Sequence, residues 1–103
     1  MIITCIYFVL DSSGPEIQMD ADLPSVTLSF PRITWKSSEP ASFECSFDGF
    51  VRDIKQCGYG NNGRWQSYKP DGQYTFYVRG RDRNGNTGSI GRHSFKVGEF
   101  IDH

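Results

Sequence analysis

Polar and apolar residues alternate from Ser42 to Phe47, with Phe43, Cys45 and Phe47 on one side and Ser42, Glu44 and Ser46 on the other. A period of two is what a strand with one buried face requires. The pattern recurs from Tyr74 to Arg81, where Tyr74, Phe76, Val78 and Gly80 alternate with Thr75, Tyr77, Arg79 and Arg81. Each run ends in turn chemistry, Asp48-Gly49 after the first and Asn84-Gly85 after the second. The two runs predict two strands of an antiparallel sandwich.

The same reading extends along the chain. Glu16 to Met19 predicts a short strand with Ile17 and Met19 inward. Ser25 to Lys36 carries Val26, Leu28 and Phe30 in one phase and Ile33 and Trp35 in the other. Pro31, at the change of phase, predicts a bulge or a crossing between sheets. Trp35 is expected in the core, and Ser37 to Pro40 reads as a connection. Phe50 to Gln56 is compatible with a short strand through Val51 and Ile54, and Gly58 to Gly63 reads as a loop. Ile90, Phe95 and Val97 are expected to complete the core.

The first ten residues, MIITCIYFVL, are apolar. A signal peptide would begin with basic residues and end in small ones, and a membrane span would need about 20 apolar residues. The stretch is read as a leading strand, either the remnant of a preceding copy or an added edge strand, with a truncated signal as the alternative. Residues 11–97 form the expected sandwich domain and 98–103 a tail or linker.

Composition narrows the function classes. The chain has 103 residues, enough for one domain with a modest core. Its 11 basic and 12 acidic residues give a net charge of -1, which implies neither a nucleic-acid partner nor direct membrane insertion. Eleven glycines, five prolines and 15% aromatic residues fit an all-β domain of tight turns. Arg79, Arg81, Arg83 and Arg92 cluster around the last hairpin, either as a phosphate or sulfated-glycan patch or as a solvated strand face. There are two histidines, His93 and His103, and they form no constellation with a nucleophile, so no catalytic residue is assigned and an enzyme is not expected. The cysteines lack paired metal-ligand spacing; Asp82 to Asn86 is explained by a hairpin turn better than by a calcium loop. No metal site and no cofactor are implied.

Three cysteines are present. Cys45 and Cys57 are separated suitably for a bridge between a strand and the segment folding back beside it; two reduced thiols are the alternative. A disulfide would imply an oxidising compartment. Cys5 is then left without a partner within this domain.

Ser38-Glu39-Pro40, Phe43-Glu44-Cys45-Ser46 with Asp48-Gly49, Cys57, Asp71-Gly72, Phe76, Val78-Arg79, Asp82 and Gly85-Asn86-Thr87 occur in that order. This order resembles the immunoglobulin-like modules that occur in tandem in large secreted and cell-surface proteins, best known from bacterial adhesin-type proteins. The resemblance covers roughly residues 11–97. It implies an immunoglobulin-like antiparallel β-sandwich of about seven strands, with Cys45 and Cys57 as the module's own disulfide partners. It also implies an extracellular spacer or adhesion unit whose partners are other domains of the same polypeptide. The segment from Tyr59 to Lys69 is longer and more aromatic than the usual connection, and the region from Asp20 to Phe30 also carries extra residues, so any function peculiar to this copy is expected in these two insertions. Tyr59, Trp65 and Tyr68, with Arg79 and Arg81, are the candidate contacts for a glycan or protein ligand; alternatively Trp65 covers the edge of the core.

Overall fold

The computed structural model describes residues 14–98. The expected leading strand at residues 1–10, Cys5 and the tail beyond Gly98 lie outside the described residues. Six strands follow in order: β1 (Ile17–Met19), β2 (Val26–Thr27), β3 (Arg32–Ser46), β4 (Lys55–Gln66), β5 (Gly72–Arg81) and β6 (Gly91–Val97). Their hydrogen bonding is continuous in the order β1-β3-β5-β6-β2, with β4 paired to β3.

This continuous sheet curls into two layers because β3 and β4 both bend. The first half of β3 pairs with β1 and with the second half of β4. The second half of β3 pairs with the first half of β4 and with β5. β5 then pairs with β6, and β6 with β2. The register of β3 against β4 shifts between Lys36 and Ala41, within the stretch expected to be a connection. Pro40 has no N–H to donate there, and Gly60, opposite Ala41, supplies the bend with a φ of 130°. Glu16 ties the bend down, its amide donating to Ser38 Oγ at 2.9 Å and its carbonyl accepting from the Ser38 amide at 3.0 Å. The sandwich positions expected from about seven strands are filled by six, two of which serve both layers.

The two organising runs fold as their alternation predicts. Phe43, Cys45, Phe76 and Val78 join Ile17, Ile33, Trp35, Ala41, Phe95 and Val97 in one buried cluster, with Phe47, Tyr74 and Trp65 packed against it. Trp35 stands perpendicular to Phe43 at a ring separation of 5.5 Å. Among the described residues its indole N–H finds no hydrogen-bond acceptor.

Four expectations are corrected. Gly58 to Gly63 is not a loop but part of β4, because pairing with β3 supplies the hydrogen bonds that local propensity does not. Val51 and Ile54 are exposed, and no strand occupies 50–54. The Asp48 carboxylate accepts hydrogen bonds from the amides of Val51, Arg52 and Asp53 at 3.0–3.2 Å and curls the chain there instead. Leu28 and Phe30 are exposed because pairing with β6 ends at Thr27 and the chain then crosses to the other layer, the crossing that Pro31 signals. Ile90 is exposed because it precedes the first residue of β6.

Candidate functional site

Tyr59, Trp65 and Tyr68 do not form one platform. Tyr59, on the first half of β4, is exposed beside Pro40, Ser42 and Arg81. Trp65, on the second half, turns inward to pack edge-on against Phe47 at 5.2 Å and tilted against Phe76 at 5.6 Å. The reading in which Trp65 covers the core edge is the one the packing follows. Tyr68 follows the end of β4, exposed, with its ring 5.8 Å from Phe30.

Trp65 and Tyr68 do share a groove of about 390 Å³ beside the disulfide, together with Phe47, Lys55, Gln56 and Lys69. The Lys69 ammonium lies 3.9 Å from the centre of the Phe47 ring and 5.0 Å from that of Tyr74. Phe47, Lys55 and Lys69 were missing from the sequence-based candidates. Phe47 is legible as the last inward position of the alternation from Ser42 to Phe47, whereas no local pattern in the sequence marks Lys55 or Lys69.

Arg79 and Arg81 are occupied within the fold. Glu44 lies directly opposite Arg79 across β3 and β5. Its Oε1 accepts from Arg79 Nε at 2.7 Å and from an Arg81 terminal nitrogen at 3.1 Å. The Arg79 hydrogen bond, reinforced by Arg81, holds the Glu44 carboxyl below its ordinary value although partial burial opposes it. Arg81 also donates to the Gly85 carbonyl at 3.2 Å, and the Arg79 guanidinium lies 4.1 Å from the centre of the Phe50 ring.

The turn after β5 is built on Asp82. Its Oδ1 accepts from the amides of Asn84 and Asn86, both at 2.9 Å. The Asn86 amide is the main cause of a lowered Asp82 carboxyl pKa. Hairpin capping thus accounts for the residues that resemble a calcium loop. The Asp48 carboxyl is pushed up by burial, but the amides it accepts and the Ser46 hydroxyl outweigh this and leave it lowered. His93 stacks on Phe95 at 5.8 Å with its Nε2 2.9 Å from the Pro24 carbonyl oxygen, a packing position. Cys45 and Cys57 are bonded, with Cα atoms 5.9 Å apart, a spacing usual for a disulfide.

No family model and no curated protein matches the chain. Among solved structures it is similar to the PKD domain of an M14-like peptidase from Thermoplasmatales archaeon SCGC AB-540-F20. The match has a TM-score of 0.56 and 13% identity, and covers 84% of this chain and 94% of that one. At that identity the likeness is one of fold, and it agrees with the immunoglobulin-like β-sandwich described above.

Proposed function

We propose that this chain is a non-catalytic immunoglobulin-like module serving as a structural spacer or adhesion unit within a larger extracellular protein. The observation that carries the reading is where the chain enters and leaves the sandwich. Pro15 packs at the β5–β6 turn, where a Cβ on Gly88 would lie 2.1 Å from its carbonyl oxygen. Gly98 leaves from the opposite end, beside Asp71 at the start of β5. β5, of 10 residues, spans about 30 Å between those ends. Force entering at residue 14 is carried first by β1 against its antiparallel partner β3 and then by β2 against β6. β2 and β6 are parallel, bonded from the Lys96 amide to the Ser25 carbonyl at 2.8 Å and from the Gly98 amide to the Thr27 carbonyl at 3.0 Å. Such bonds are sheared together rather than opened one at a time. The disulfide, which implies an oxidising compartment, also removes the segment between Cys45 and Cys57 from the extensible length.

Single-molecule pulling tests the proposal. Attachment at residues 14 and 98 should require a clearly higher unfolding force than attachment at 71 and 98, which peels β6 from β5 from one end. Reduction should lengthen the unfolded chain by roughly 35 Å, the reach of the 12-residue separation less the 5.9 Å that the disulfide already spans. Equal forces in the two geometries would remove the basis for a load-bearing role.

A further inference from the structure

Cations on the two layers have different surroundings. On the second layer Glu44 sits between Arg79 and Arg81. On the first layer, period two directs Arg32, Thr34 and Lys36 of β3 outward between the buried Ile33, Trp35 and Ser37. The register places Arg64 opposite Thr34, Gln66 opposite Arg32 and Asn62 opposite Lys36. Arg64 is therefore the diagonal neighbour of both Arg32 and Lys36, with Cβ spacings of about 7–8 Å. All three cations are exposed, and among the described residues none forms a salt bridge with a carboxylate. Two acids lie beside the row, and each already accepts a hydroxyl hydrogen bond: Asp20 from Thr34 and Glu16, which shares a groove with Lys36, from Ser89. Asp20, Thr34, Lys36, Asn62 and Arg64 line a shallow groove of about 320 Å³.

The net charge of -1 conceals this row. Apart from Glu39 and Glu44, every described carboxylate lies outside the strands. Three neighbouring like charges repel one another across the sheet, and a bound polyanion relieves that repulsion.

We propose that the outer face of the β1-β3-β4 layer binds a linear sulfated glycan along the row Arg32–Arg64–Lys36. Charge complementarity selects a polyanion. The amide side chains of Gln18, Asn62 and Gln66, interspersed with the cations, suit the hydroxyls of a sugar chain. None of the outward strand residues of this row is aromatic, and the exposed Phe30 and Tyr68 at its end pack against each other, so the row itself offers no ring for the base stacking that supports single-stranded nucleic-acid binding. The disulfide fits the extracellular setting in which such glycans are met.

The test is equilibrium binding of a heparin-derived octasaccharide. The parent should bind at low ionic strength, with log K falling against log salt with a slope of about -2 to -3 for three cations neutralised. Arg32→Gln/Lys36→Gln/Arg64→Gln should weaken binding on the order of tenfold or more, with an unchanged circular-dichroism spectrum and melting point. Arg64→Gln alone, at the centre of the row, should give part of that loss. Arg92→Gln/Lys96→Gln, on the other layer, should stay within about twofold of the parent. The proposal is overturned if the parent does not bind at low salt, or if the Arg92/Lys96 variant loses as much as the triple variant. It is equally overturned if the desulfated octasaccharide or an oligothymidine binds as tightly.

Discussion

Gly63 and Trp35 stand opposite each other on β4 and β3, and the indole occupies the space that a side chain at 63 would need. A Cβ there would lie 2.0 Å from Trp35 Cε2 and 2.1 Å from Nε1. Trp35 is 1% exposed and ringed by Phe43 and Phe76, so it cannot move aside cheaply. Gly63→Ala should therefore cost roughly 3 kcal/mol, as overpacking of a filled core does. Gly60→Ala makes a useful comparison. Nothing lies within 4 Å of its Cβ position, but its φ is 130°, so the cost is backbone strain alone, about 1 kcal/mol. Urea denaturation of the two variants measures both. Equal losses would mean that the contact with Trp35 does not decide the role of Gly63.

At the scale of elements, the sequence was informative where side chains alternate and uninformative where the backbone does the work. β5 and the second half of β3 carry a clear period of two, because their inner faces are buried and their outer faces are not. β4 carries almost none. It is an edge strand with three glycines whose inner contacts are made mainly by Cys57 and Trp65, so its strand state depends on pairing with β3. For the same reason the structure gathers only part of the aromatic set: Trp65 and Tyr68 share a groove, while the register shift within β4 leaves Tyr59 in different surroundings. The cation row was equally hidden, since Arg64 lies far in sequence from Arg32 and Lys36 and only the register unites them.

The Cys45–Cys57 bond belongs to this scale because it closes the end of the β3–β4 hairpin, beyond which only the Asp48 turn connects the strands. Reduction should destabilise the fold by roughly 3 kcal/mol, the loop-closure entropy of a short loop. For a domain of this size that lowers the melting point by roughly 15 °C. Thermal melts with and without reductant, with intact mass confirming the thiol state, check this. A shift of only a degree or two would mean that the pairing of β3 with β4 holds the hairpin without its covalent closure.

At the scale of the whole molecule, three carboxylates, one bridging strands distant in sequence and two organising local turns, are all held in their charged form. Glu44 joins β3 to β5 through Arg79 and Arg81, Asp48 organises the β3–β4 connection, and Asp82 organises the β5–β6 turn. Each has a lower pKa folded than ordinary, so across that interval the unfolded chain binds more protons than the folded one. Stability is then fully present above the ordinary carboxylate range, near pH 4, and is lost as the pH falls through the depressed values. The urea midpoint should be flat from neutral pH down to about pH 5 and should decline steeply below about pH 4. Glu44→Gln leaves Arg79 and Arg81 without their anion, and should lower the plateau by about 1 kcal/mol, a figure already discounted for the partial exposure of both partners. Because the variant has one fewer group to protonate, its decline in acid should also be shallower, so that the two curves converge as the pH falls. Curves that stay parallel down to the acid transition would show that protonation of Glu44 does not contribute to acid unfolding, and would leave Asp48 and Asp82 as the carboxylates that do.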